Sequence, residues 1–257
     1  MKDLETHKKI AVLIDSDNAQ HSKVKAVLDE ISAHGHIVIK RAYGDWSSEY
    51  LKNWKQSLNE LAIQPIQQFA YTTGKNSTDA SMIIDAMDLL YSNKFDAFAL
   101  VSSDSDFTKL ASRLRESEIF VFGVGEKKTP ISFKNACDDF IFTENLDVAL
   151  PVAAVVSDAK TKPSSKKKKP EFIKTEILES ELIPILTKAW ERHQDEEGWA
   201  NVSPVGGFVK RLKPDFDPRT YGATKLPEII AKLGDVFEMK KYKGKGTVYI
   251  VAYRPKA

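Results

Sequence analysis

"KKIAVLIDSDNAQ", Lys8 to Gln20, sets an unbroken apolar run, Ile10 to Ile14, against an abrupt end in Asp15, Asp17 and Asn18. A short continuous apolar run is the pattern of a strand buried on both faces, as in a parallel sheet. A buried strand that terminates in carboxylates delivers them to one end of the sheet. The sequence that follows keeps the alternation such a sheet needs. "SKVKAVLDEISAHG" (22–35) places apolar residues at 24, 27, 28 and 31, the helical spacing, and ends on Gly35, a natural stop. "HIVIKRAY" (36–43) reads as a second strand. "SSEYLKNWKQSLNEL" (47–61) reads as a second helix capped by Ser47 or Ser48, and "IQPIQQF" (63–69) as a short third strand. A helix over 77–92 capped by Ser77 or Thr78, a strand over 97–103, a helix over 107–117, a strand over 119–125, a short helix over 129–138 and a last strand over 139–143 complete the pattern. Strands alternating with helices predict an α/β domain with a Rossmann-like, mostly parallel sheet, helices on both faces and right-handed crossovers.

The chain has 257 residues, enough for one large domain or two ordinary ones. "SDAKTKPSSKKKKP" (157–170) is polar, holds two prolines and has no apolar period, so it reads as a disordered linker. It divides the chain into a front domain (1–150), a basic connector (151–173) and a back domain (174–257). Lys and Arg number 17 against 22 Asp and Glu in 1–150, 6 against 1 in 151–170, and 15 against 13 in 171–257. The net charge of +2 therefore hides an acidic front and a basic connector, a combination that suits a polyanionic partner. In the back, 174–193 reads as a helix with Pro184 as kink or boundary. A helix over 203–214 is capped by Ser203 with Pro204 at its first position, and a third helix covers 222–234. Residues 236–253 read as a hairpin around "YKGKG". Three helices and a hairpin predict a small winged-helix α+β domain.

The single cysteine, Cys137, rules out an internal disulfide and a cysteine-rich metal site, which fits a reducing compartment. No apolar run reaches the roughly 18 residues a membrane helix needs, and the polar "MKDLETHKK" start lacks a signal-type segment. A cytoplasmic protein without membrane contact is expected. The five histidines are scattered, and neither a P-loop nor a dinucleotide fingerprint is present.

In a doubly wound sheet, ligands sit outside the carboxyl ends of the strands. Asp15 and Asp17 follow the first strand, Asp104 and Asp106 in "LVSSDSDF" follow the fourth, and Asp79 falls in the first turn of the helix after the third. Each aspartate taken singly also fits a cap or a strand end. Together they place up to five carboxylates on one rim. Two unit charges about 4 Å apart repel by on the order of 4 kcal/mol at an effective dielectric of about 20, so such a cluster calls for a cation or for protonation. The donors are all oxygens, which selects a hard ion, Mg²⁺ or Mn²⁺. Asn18 is available as a neutral ligand or to orient water. Asp85, a turn and a half beyond Asp79, is a further residue that could face the site, while Asp88 reads as solvated.

"VLIDSDNAQ", "STDASMIIDAMDLLY" and "LVSSDSDFTKLASRLRESEIFVFGVG" together resemble a NYN domain of the LabA-like type, a relative of the PIN nucleases, over residues 8–147. The resemblance implies a PIN/NYN fold and a metal-dependent ribonuclease. Its metal-binding acids would be Asp15, Asp79, Asp104 and Asp106, with Asn18 as companion amide and Asp17 as an extra acid. Ser103 stands where the family often has Gly. Residues 174–254, and "FDPRTYGATKL" above all, are similar to the OST-HTH, or LOTUS, domain, which implies a winged-helix module for RNA or protein. Lys210, Arg211, Lys213, Arg219 and Lys225 are its candidate phosphate contacts, and Trp199 and Tyr221 its candidate stacking residues.

The leading expectation is an RNA endonuclease, with DNA left open as a substrate. Asp106 or Asp17 would serve as general base, and Lys75 and Lys109 would meet phosphates near the cut. A protein partner or a second copy through either domain is also compatible. One alternative is an inactive RNA-binding adaptor. Another is a phosphatase of the haloacid-dehalogenase type with Asp15 as nucleophile. Against it, Ala19 stands where that family has Thr or Val, and no matching downstream lysine motif follows.

Overall fold

A computed structural model of the chain describes residues 8–69, 77–146, 178–243 and 249–256. The connector read at 151–173 and the candidate Lys75 lie outside the described residues. The chain divides into two compact units, Met1–Asp147 and Val148–Ala257.

The first unit contains β1 (Lys9–Asp15), α1 (Val24–Ser32), β2 (His36–Gly44), α2 (Trp54–Glu60), β3 (Gln64–Gln67), α3 (Ser77–Tyr91), β4 (Ala97–Val101), α4 (Thr108–Glu116), β5 (Phe120–Gly125), α5 (Ile131–Ala136) and β6 (Asp139–Phe142). All neighbouring strands pair in parallel, in the order β3-β2-β1-β4-β5-β6. The apolar run of β1 is continuous because both of its faces are covered. Ala11 and Leu13 point into a core shared with Met82, Leu110 and Phe133 of α3, α4 and α5. Ile10, Val12 and Ile14 point into a second core with Val24, Val27 and Trp54 of α1 and α2. Pro65, which cannot donate to a ladder, is confined to the edge strand β3.

After β3 the chain returns across β1 to place β4 on its other side, so the strand order reverses between β1 and β4. A crevice opens at the carboxyl ends of two strands at such a switch point. The helix read at 47–61 is interrupted. Glu49–Leu51 forms a 3₁₀ turn whose Tyr50 N–H donates to Ser48 Oγ at 3.3 Å, and α2 itself begins only at Trp54.

The described part of the second unit starts with a π-helical turn, Leu178–Leu182. It continues through α6 (Ile183–His193), β7 (Ala200–Asn201), α7 (Val202–Leu212), a 3₁₀ turn at Pro218–Tyr221, α8 (Leu226–Lys232), β8 (Phe237–Lys243) and β9 (Tyr249–Pro255). Its antiparallel sheet has the order β7-β9-β8. Three helices against this sheet make the expected winged-helix α+β shape. Leu186, Val205, Val209, Ile229 and Phe237 form the core, and the buried Tyr253 hydroxyl donates to Leu186 O at 2.8 Å.

Pro184 marks a boundary, near the start of α6. Two details correct the sequence reading. Asn201, not Ser203, caps α7, its Oδ1 accepting from Ser203 N at 2.9 Å, so the helix starts before Pro204. The third helix is shorter than 222–234, because Gly222 takes the left-handed conformation at φ 67° and ends the preceding 3₁₀ turn there.

Candidate metal centre

Asp15 closes β1 and is 1% exposed. Its Oδ2 accepts from Ser102 Oγ at 2.7 Å and from Asn18 Nδ2 at 2.8 Å, and its Oδ1 accepts from Asp17 N at 3.2 Å. Burial pushes its pKa up, and the Ser102 and Asn18 hydrogen bonds pull against that shift by favouring the charged form. Ser102 has a second task. Its Oγ also accepts from Asp104 N at 3.0 Å, which ties the segment after β4 to the end of β1.

Asp104 then repeats what Asp15 does. Its Oδ1 accepts from Asp106 N at 2.9 Å, as Asp15 Oδ1 accepts from Asp17 N. The two Asp-Ser-Asp segments, 15–17 and 104–106, thus make the same local turn on either side of the switch point. Each presents its second acid, Asp17 and Asp106, to solvent. Gly125 at the end of β5 lets this loop sit close. A Cβ there would meet Ser102 O at 2.6 Å and Ser103 Oγ at 3.0 Å.

Asp79, in the first turn of α3, completes a group with Asp104 and Asp106 in which one carboxylate oxygen from each lies within 4.8 Å of the others. The Asp79 carboxyl is pushed up to about 6 from the ordinary value of 3.8, first by burial and then by the charges of Asp15, Asp104, Asp106 and Asp17. A divalent cation would relieve that repulsion, and a donor set made only of carboxylate oxygens fits a hard ion. Asp15 and Asp17 stand outside this group of three. Asp15 contributes charge and, through Ser102, position; Asn18 is committed to Asp15.

Asp85 does not face the rim. It pairs with Arg41 Nη1 at 2.5 Å and accepts from the Tyr43 hydroxyl, fastening α3 to β2. Lys109 is exposed on α4, and Asp88 is exposed on α3.

In the second unit the predicted phosphate contacts divide. Lys213 pairs with Glu181 at 3.2 Å and Asp215 at 3.4 Å. Arg219 grips Asp217, with Nε at 2.9 Å and Nη2 at 2.9 Å from Oδ2. Lys225 and Arg211 are exposed, Arg211 lying over the Phe208 ring at 5.9 Å, and Lys210 is half-buried on α7. Tyr221 is 5% exposed and stacked on Phe216, so it belongs to the core and does not offer a face to a base. Trp199 is half-buried, with Lys240 and Arg254 each 4.4 Å from its ring centroid.

The sequence reading overlooked Ser102 and Gly125. A serine two residues before Asp104, at a strand end, was the available signal for the first, since Ser side chains bond the backbone two residues on.

Residues 9–147 match the family model of the NYN domain, and residues 174–249 match that of the OST-HTH/LOTUS domain. Both matches agree with the resemblances the motifs carried. No curated protein matches the chain significantly. Among solved structures, the chain is similar to a protein of unknown function from Vibrio parahaemolyticus. That likeness has 18% identity and TM-score 0.45, and it covers 55% of this chain and 96% of that one. It is also similar to an uncharacterized protein from Nitrosomonas europaea, with 25% identity, TM-score 0.27 and coverage of 40% of this chain and 91% of that one.

Proposed function

The chain belongs to the NYN-domain family, and from that premise we propose that it is a metal-dependent endoribonuclease whose OST-HTH/LOTUS module helps to hold RNA. The observation that carries this reading is the convergence of Asp79, Asp104 and Asp106 within 4.8 Å at the switch point, with Asp79 pushed up to about 6 first by burial and then by the charges around it. These three residues would hold Mg²⁺ or Mn²⁺, and Asp15 would add a further negative charge behind them. The ion would supply a Lewis acid for a phosphodiester oxygen and a lowered pKa for attacking water.

The chain's own residues would do the remaining work. Ser102 and Asn18 donate to Asp15 and so favour its charged form against the burial that raises its pKa. Asp17, or Asp106 in place of its role as a ligand, would take the proton of the attacking water; both are the exposed second acids of the paired turns. Lys109 would meet a phosphate oxygen near the cut, with Lys75 proposed for the same task. In the second unit, the exposed Arg211 and Lys225 would carry phosphate contact, with the half-buried Lys210 proposed beside them, while Lys213 and Arg219 serve internal ion pairs. The phosphatase alternative loses support at Asp15. A covalent nucleophile needs an accessible oxygen, and both oxygens of this 1% exposed carboxylate already accept hydrogen bonds.

The test is cleavage of a labelled mixed-structure RNA, and of the matching DNA, by the full chain with Mn²⁺, Mg²⁺ or EDTA, beside Asp104→Asn. Metal-dependent RNA cutting that Asp104→Asn abolishes supports the reading. RNA binding without cutting under every metal condition identifies the adaptor instead.

A further inference from the structure

From the acid rim an open groove of about 740 Å³ runs past Asp17 and Thr78 to Tyr50 and Trp54. His21 lies in its wall, and also in the wall of a second groove of about 520 Å³ that follows α2 past Lys52, Asn53 and Lys55. His21 lines both, so the two grooves adjoin there and together offer one track. Its chemistry changes along its length, from carboxylate to aromatic to ammonium and amide.

Tyr50 stands in this track and is 94% exposed. Lone exposed apolar residues are common on surfaces and mean little by themselves. This one is held out by an anchored turn. Its neighbours Leu51 and Trp54 are 6% and 2% exposed, and its N–H donates to Ser48 Oγ at 3.3 Å. Trp46 packs edge-on against Trp54 and donates from Nε1 to Ile66 O at 3.0 Å, which fixes that side of the groove. The floor carries a polar feature as well. Ser16 Oγ is buried with no hydrogen-bond partner among the described residues, and Ser16 lines the same groove. The Lys52 pair with Glu49, at 3.2 Å, is exposed on both sides and so is easily exchanged for a phosphate.

We propose that this track seats a single-stranded RNA segment beside the scissile phosphate, with Tyr50 stacked on an unpaired base and Lys52 and Lys55 on the phosphates beyond it. An exposed ring stacks on a base whose face is free, and in a duplex that face is covered by the next base pair. The track therefore selects single strands over duplex. This inference rests on the nuclease reading for the scissile phosphate, but not for the binding of the strand.

The test uses the full chain and a 5-iodouridine-substituted single-stranded oligoribonucleotide. Ultraviolet cross-linking in the Asp104→Asn protein, followed by peptide mapping, should place a cross-link on the peptide that carries Tyr50. With the active protein, Tyr50→Ala should lower kcat/KM on single-stranded RNA by about tenfold, mainly through KM, while Tyr50→Phe keeps the wild-type value. A KM unchanged by Tyr50→Ala, or cross-links confined to other peptides, would overturn the proposal. If the wild type binds and cross-links at Tyr50 but never cuts, the track stands and the nuclease reading falls. If it cuts and Tyr50→Ala changes nothing, the reverse holds.

Discussion

Charge is handled in opposite ways in the two units. At the rim of the first, acids are brought toward other acids. Asp79 sits among Asp15, Asp104, Asp106 and Asp17, and burial first and then their charges raise its pKa. In the second, acids are matched with bases: Lys213 with Glu181 and Asp215, Arg219 with Asp217, Lys240 with Glu197, Arg254 with Glu238. Paired surface charges contribute little to stability and need no further partner. Like charges gathered in a half-buried rim are a standing cost to the fold, and such perturbed groups concentrate at functional sites. The difference separates charge used to hold the chain together from charge left waiting for a ligand.

Five outcomes would break or sharpen that contrast, from the largest expected effect to the smallest. Asp104→Asn removes one of the three convergent carboxylates, and RNA cleavage in Mn²⁺ should fall by on the order of 100-fold or more, read from initial rates. Ser102→Ala strips Asp15 of a donor and Asp104 N of its acceptor. It should cost roughly 1–3 kcal/mol in urea unfolding, and it should lower cleavage although Ser102 touches no substrate.

Arg219→Ala strands the Asp217 carboxylate, so unfolding should become easier by about 1–2 kcal/mol while RNA affinity and its salt slope stay unchanged. Arg211→Ala with Lys225→Ala, both exposed, should do the converse, flattening the salt slope and leaving stability alone. An Arg219→Ala protein that binds RNA less tightly but unfolds normally would erase the distinction between the units.

The smallest effect concerns Asp79 without metal. Its folded carboxyl sits at about 6 against an ordinary 3.8, so the folded state holds this proton more firmly than the unfolded chain does. Its stabilising contribution is therefore present below about pH 4 and lost as pH rises through about 6. Asp79→Asn should raise the melting temperature of the metal-free protein at pH 7 by a few degrees. The gap between variant and wild type should close toward pH 4.

Much of this was legible in the sequence, for local reasons. The apolar run of β1 needs both faces covered, and the acids at its end and after β4 must then share a rim. What escaped was tertiary. Lys213 finds Glu181 across 32 positions, and Asp85 finds Arg41 across 44, so composition marked those charges without showing that they are consumed. Ser102 looked like a strand-end residue because its partner Asp15 lies 87 positions away. The break before α2 follows from Ser48 capping a short turn. A continuous helix across 47–61 would have drawn Tyr50 into its own regular surface, where nothing in the spacing singles it out.

The most direct measurement of the central claim is a thermal melt of the full chain titrated with Mn²⁺, beside Asp79→Asn and Asp104→Asn. A ligand that binds only the folded state must raise its melting temperature. The rim predicts a saturable rise in the wild type that both variants lose. A melt indifferent to Mn²⁺, or a rise that both variants share, would contradict it.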